Sequence, residues 1–193
     1  MFNDHSSLLA HLATRRSGKP RDMIAPGPNE QEMRAILSLS LRTPDHGKLA
    51  PWRIVEIATD QRPEFAALLK KAWIAANPGA ADLNLSALDQ FAFQAPNLVV
   101  MLSTPVVESK VPVWEQQLAA GAAAMNLLHA AHAHGYVGSW LTGWAAFDPM
   151  VKAAFGGGPK DQIVGYFFFG SPAQPLEERD RPDYDHVVSQ WKP

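Results

Sequence analysis

Residues 113–134 read VWEQQLAAGAAAMNLLHAAHAH, the longest helical pattern in the chain. From Gln116 to Ala133 the segment is mostly Ala, Leu, Met and Gly, dominated by strong helix formers. Small residues on several faces let neighbouring elements approach closely, so this helix is expected at the centre of the fold. Gly135 suits the left-handed position that ends such a helix.

Other elements are read outward from this helix. Downstream, Tyr136 to Leu141 reads as a strand, Pro149 to Phe155 as a short helix, and Ile163 to Phe169 as an aromatic, β-prone strand. Upstream, Leu98 to Leu102 is a continuous Val-rich apolar run, the pattern of a buried strand. Trp52 to Ala58 alternates in the manner of a strand. Helices are expected over Ser6 to Thr14, from an Asn29 N-cap with Met33, Ile36, Leu37 and Leu41 as its apolar stripe, over Pro63 to Ala75, and over Leu85 to Phe93. Pro20 to Pro28 and Asn77 to Asp82 read as loops. The tail from Ser171 to Pro193, with Pro172, Pro175 and Pro182 among many charges, cannot build its own core and is expected to lie across another surface. Helices and strands mix without regular βαβ alternation, which indicates an α+β fold. The whole chain, 1–193, reads as a single domain with an extended tail from 171 to 193.

Composition narrows the function. Of 193 residues, 47% are apolar and 19% charged, as in soluble globular proteins. A formal net charge of -2 lacks the basic footprint of a nucleic-acid binder. The absence of cysteine excludes disulfides, thiolate zinc sites, iron–sulfur clusters and a Cys nucleophile. His5, His11, Arg15 and Arg16 interrupt the start, unlike a secretory signal, and no apolar run reaches the roughly 20 residues of a membrane span. A cytoplasmic location is expected, with neither nucleic acid nor membrane as partner.

Three clusters carry chemistry. Arg15-Arg16-Ser17-Gly18-Lys19 sets three cations and a hydroxyl within five residues, a donor set for phosphate. On the residues alone the solvated basic turn at a helix C-terminus is the more ordinary reading. Arg42-Thr43-Pro44-Asp45-His46, followed by Pro51-Trp52, groups a cation, an imidazole and an aromatic on a proline-fixed loop, or is an ordinary helix-to-strand connection. Gly138-Ser139-Trp140-Leu141-Thr142-Gly143 runs a strand into small residues where a flat ligand can approach the backbone, or is a tight turn with Trp140 in the core. Other patterns fall short. Gly156-Gly157-Gly158-Pro159 lacks the Lys-Ser/Thr ending of a phosphate loop. His129 and His132 share a helix face but have no carboxylate pattern with which to hold a metal, so no metal site is expected.

Taken in order, these clusters resemble the nitroreductase family, and within it the small YdjA-like subgroup. The resemblance runs from Arg15-Arg16-Ser17 through Arg42 to His46 and Pro51-Trp52. It continues through residues 110–116 (KVPVWEQ), the small-residue helix and Gly138 to Gly143, and closes with residues 163–172 (IVGYFFFGSP). It implies a central mixed or antiparallel sheet flanked by helices, and a tight homodimer with FMN at the subunit interface. Arg15 and Ser17 would hold the FMN phosphate with Arg16 close by, and Lys19 would lie near the pyrimidine edge of the flavin. Arg42 and His46 would line the cofactor, with either the same or the partner subunit as the source of His46, and Trp140, Leu141 and Thr142 would lie along the flavin. Ala130, Ala131, His132, Ala133, His134 and Gly135 would form the NAD(P)H contact region, and Arg181 would be a further phosphate candidate. Leu141 and Ala50 depart from the subgroup pattern, which has Arg and Gln there. The implied activity is ping-pong oxidoreduction from NAD(P)H through FMN to a small electrophilic acceptor, nitroaromatic or quinone-like. His46 is the candidate for proton supply, and no residue is assigned as nucleophile. Two alternatives differ in class: a flavin carrier without turnover, and a metal enzyme built around His129.

Overall fold

The apolar runs at 98–102 and 163–169 form the two central strands of one sheet. The computed structural model describes residues 2–79 and 85–193. Within these, five strands are present: β1 (Met23–Ile24), β2 (Trp52–Ile57), β3 (Asn97–Ser103), β4 (Val137–Leu141) and β5 (Gln162–Pro172). The helices are α1 (Leu8–Thr14), α2 (Glu30–Ser40), α3 (Arg62–Ala76), α4 (Leu85–Phe93), α5 (Val113–Ala133), α6 (Pro149–Ala154) and α7 (Tyr184–Val187). Every strand pair is antiparallel. β5 lies between β3 (Asn97 opposite Phe169) and β4 (Val137 opposite Gly170), and β2 pairs with the outer side of β3.

Both faces of the sheet are covered, and the period-2 alternation of strand side chains sorts the core. Leu98, Val100, Leu102, Tyr166 and Phe168 point to one face, where Phe65, Leu69 and Ala72 of α3, Ala92 of α4 and Val151 of α6 meet them. Val99, Met101, Phe167 and Phe169 point to the other, against Met33 and Ile36 of α2 and Ala123, Ala124, Leu127 and Ala131 of α5. The alanines of α5 bring its backbone close to the sheet, as the composition of the segment predicts. Gly135 ends the helix at φ +85. Asn29 caps α2 through a reciprocal pair with Glu32, whose carboxylate also accepts from the Tyr136 hydroxyl at 2.7 Å.

Two expectations need correction. Pro20 to Pro28 is not all loop: Met23–Ile24 pairs with Ser171 and Pro172, which extends β5 beyond Phe169 and into the segment read as tail. The tail also contains one short helix, α7. Of the Asn77 to Asp82 loop, residues 77–79 form a turn, and 80–82 lie outside the described residues.

Arg62 was not anticipated. It is 2% exposed, and its guanidinium donates to the carbonyls of Ile57, Ala92, Gln94 and Pro96, bracing the turn from α4 into β3. Burial lowers its pKa to about 10, so it stays charged at neutral pH. Arg62→Leu would leave those carbonyls without donors, at about 1–3 kcal/mol for each group stranded in the interior. The unfolding free energy from urea titration is expected to fall by about 3 kcal/mol or more at unchanged m-value; a variant within about 0.5 kcal/mol of the parent would show the brace to be dispensable.

Candidate cofactor site

α1 is capped by Ser7 and ends at Arg15, where the backbone turns extended. The chain from Arg15 to Lys19 then runs to the sheet, and the Gly18 amide donates to the Gly138 carbonyl of β4 at 3.2 Å. This hydrogen bond joins the first and third sequence clusters. Gly18 is needed there because a Cβ would collide with the Val137 side chain.

Arg15 is half-buried and lies 3.4 Å from the Ser17 hydroxyl. Burial, then Arg181, then Arg16 push its pKa down. None of the ion pairs among the described residues involves Arg15. A partly desolvated guanidinium beside two further cations, opposed only by the charge of Glu178, which Arg181 engages, suits an anion with several acceptor oxygens. Arg181 therefore joins this cluster. Arg16 donates to the Glu177 carbonyl, and Lys19 pairs with the Glu177 carboxylate at 2.8 Å, so the stretch from Pro172 to Glu177 straps over Ser17 and Gly18.

The Gly138 to Gly143 cluster is partly core. Trp140 lies over Phe167 with ring centroids 5.3 Å apart, and its indole N–H donates to the Val164 carbonyl at 2.9 Å. Leu141 packs toward the opposite face. Only Thr142 and Gly143 are exposed, at the end of the strand.

The second cluster lies elsewhere. The Asn126 side chain holds the Arg42 carbonyl at 3.3 Å and the Thr43 hydroxyl at 2.8 Å. His46 pairs through Nδ1 with Glu115 at 2.8 Å. A carboxylate can only accept there, so Nδ1 carries the proton and Nε2 remains as the outward acceptor of the neutral ring. The loop is strained, with Gly47, Lys48 and Ala50 at φ +81, +56 and +47. Non-glycine residues in this region cost about 1–3 kcal/mol each and concentrate at functional sites. Sequence reading missed this, since nothing in Lys48 or Ala50 signals a left-handed backbone.

The length of α5 separates His46 from the Arg15 turn, whereas Arg42 lies beside Asn126 and His129. Glu115, which holds His46, is in the first turn of α5, whereas His129, against which α1 docks, is fourteen residues further along. At about 1.5 Å per residue this is about 20 Å. Of the residues 130–135, Ala133, His134 and Gly135 are exposed and His132 is buried. No group able to hold a metal occurs among the described residues; His129 hydrogen-bonds His11 instead.

The chain matches the model of the nitroreductase family over residues 12–171. It belongs to that family, a family of oxidoreductases. It is 34% identical over 164 residues to "Putative NAD(P)H nitroreductase YdjA" of Escherichia coli, a match covering 85% of this chain and 87% of that protein. Its fold is similar to that of a nitroreductase-like family protein from Bacillus cereus, with a TM-score of 0.80 at 16% identity and 97% of each chain covered. It is also similar to a protein from Exiguobacterium sibiricum described as a putative nitroreductase in complex with FMN, with a TM-score of 0.70, 16% identity, and 97% and 98% coverage. No helix among the described residues is long and apolar enough to cross a membrane.

In this nitroreductase-family chain the edge of the candidate site rests on one close contact. A Cβ on Gly165 would collide with the Trp140 indole and sit 2.9 Å from the Leu141 carbonyl. Gly165→Ala should therefore displace Trp140 and cost about 1–3 kcal/mol in a urea titration, with a changed indole environment in near-UV circular dichroism. Unchanged signals would mean that β4 yields there without strain.

Proposed function

We propose that the chain is an FMN-dependent oxidoreductase that takes electrons from NAD(P)H and passes them to a small electrophilic acceptor. The observation that carries this reading is the half-buried Arg15, which is in no ion pair among the described residues and stands beside Ser17, Arg16 and Arg181, with Glu178 engaged by Arg181. These residues fit a mononucleotide phosphate, Arg15 by charge-assisted hydrogen bonds and Ser17 by its hydroxyl. From Gly138, where this turn meets β4, to Thr142 the strand covers about 13 Å at about 3.3 Å per residue, the scale of an extended mononucleotide. That span supports seating the ring system along Trp140, Leu141 and Thr142. Bound there, the flavin would supply the hydride chemistry, and no nucleophile is required of the protein.

The remaining ligands come from a second copy in this reading. Arg42 and His46 belong to a loop whose His46 end is held at the far end of α5 from Arg15, and α1 shows Leu8, Leu9 (78% exposed) and Leu12 to the outside. Trp114 and Leu118 on α5, and Tyr184, Val187 and Trp191 (85% exposed) in the tail, are further apolar groups awaiting cover. A homodimer would bury them and bring the partner's loop to the Arg15 turn. His46 Nε2 would then accept a hydrogen bond from the cofactor, or return a proton once the ring is charged. Lys19 would stabilise negative charge at the pyrimidine edge after exchanging Glu177 for the flavin. The 130–135 turn, with Ala133 to Gly135 exposed, would meet the nicotinamide cofactor.

Arg15→Ala is expected to weaken FMN binding by about 1.5–3 kcal/mol, roughly tenfold to a hundredfold in Kd, with secondary structure intact. Fluorescence titration of the apoprotein measures it, and anaerobic NADH or NADPH should bleach flavin bound to the parent protein. Unchanged affinity in the variant would remove the phosphate assignment, and flavin that resists both donors would leave a binding protein in place of an enzyme.

A further inference from the structure

Where α1 meets the last turns of α5, the contact is imidazole on imidazole. His11 Nε2 lies 2.7 Å from His129 Nδ1, and the His11 ring stands edge-on to His129 and His132 at centroid distances of 4.9 and 5.6 Å. His11 and His132 are 6% and 1% exposed, and His11 Nδ1 and both ring nitrogens of His132 have no hydrogen-bond partner. His11 is the only buried side chain of α1, while its leucines face away. The helix that ends in Arg15 is thus seated on α5 through this one side chain.

Such a contact needs a shortage of protons. The nitrogen–nitrogen hydrogen bond requires one donor and one acceptor, and protonating both rings sets two donors face to face. The surroundings do not absorb the charge. His5 in the N-terminal segment and Arg42 beyond α2 border the groove beside His11 and His129, and the charge of Arg15 at the end of α1 acts on both rings. On the far side, His5 and Tyr136 border the groove beside His132. No Asp or Glu lines either groove among the described residues. Burial first, then Arg15 and His5, lowers the His11 pKa; burial, His11 and Arg15 lower that of His129; and burial above all takes His132 to about 3. Because the seated forms bind protons less readily than free imidazole at 6.5, seating is fully stable above that pH. It is lost progressively as the pH falls below 6.5, for His132 down to about 3.

We propose that His11 and His129, backed by His132, are positioning residues for Arg15 and Ser17 and act as a proton-operated catch: closed at neutral pH, released in acid, with the anion-binding turn loosening as α1 lifts. This rests on Arg15 and Ser17 being the flavin-phosphate ligands.

The test uses the full chain. Amide hydrogen exchange over residues 8–17 of the apoprotein is measured at about pH 7.5 and about pH 5, with intrinsic exchange rates divided out. FMN affinity is measured at the same two values for the parent and for His129→Gln, whose amide can bond His11 but does not titrate. Protection is expected to fall about tenfold or more in acid, and the acid loss of FMN affinity is expected to be about tenfold smaller in the variant. The flavin phosphate itself titrates at about 6, equally in both proteins, so the difference isolates the cluster. Protection independent of pH overturns the catch. Protection that falls while both proteins lose FMN equally overturns its link to Arg15. Should His129→Gln fail to fold, exchange in the parent decides alone. Because exchange is read without flavin, a failure of the phosphate assignment, seen as unchanged affinity in Arg15→Ala, remains distinguishable from a failure of the catch.

Discussion

Double-sided burial of β5 is the constraint on which the rest of this molecule depends. Tyr166 and Phe168 enter one core while Phe167 and Phe169 enter the other, all four fully buried. At roughly 1.5–3 kcal/mol for each large side chain removed from water, a one-residue slip would exchange the two sets and empty both cores of their best partners. The register of β3 and β4 against β5 is fixed by that penalty. β4 in turn fixes Gly138, to which the Arg15 turn is tied, and Thr142, where the strand opens to solvent. The site geometry is thus inherited from the packing of three phenylalanines and a tyrosine.

Much of the fold was legible because these elements carry strong, redundant signals. Residues 113–134 read as a helix by propensity, length and the stop at Gly135, and Leu98 to Leu102 as a buried strand by its unbroken apolarity. Asn29 with Glu32 announced the start of α2. Misses occurred where tertiary pairing overrode local chemistry. Met23–Ile24 sits between prolines and becomes strand only because Ser171 and Pro172 offer a free edge. Arg62 reads as a surface cation in a helix first turn, and nothing local indicates that three carbonyls some 30 residues away need it.

The site was legible in residue type and less so in arrangement. Arg15 with Ser17, and the Gly138 to Gly143 strand, stand out as donors and small residues, and the Gly18 to Gly138 hydrogen bond joins them. That His46 is held at the far end of α5 while Arg42 stays beside Asn126 and His129 is a matter of three-dimensional distance, which spacing in the chain does not encode. The role of His11 was equally hidden. It entered the sequence reading only as an interruption of an apolar start, yet it meets His129 across 118 positions.

The order of synthesis adds a consequence. The strand at the middle of the sheet is the last of the five to be made, and β1, β3 and β4 all wait for it. During translation the β2–β3 pair has an open edge of Val, Met and Leu until residues 162–172 clear the ribosome. A nascent chain of this length is therefore a helix-rich, unclosed assembly for most of its production. Any delay in the emergence of residues 162–172 prolongs that exposure.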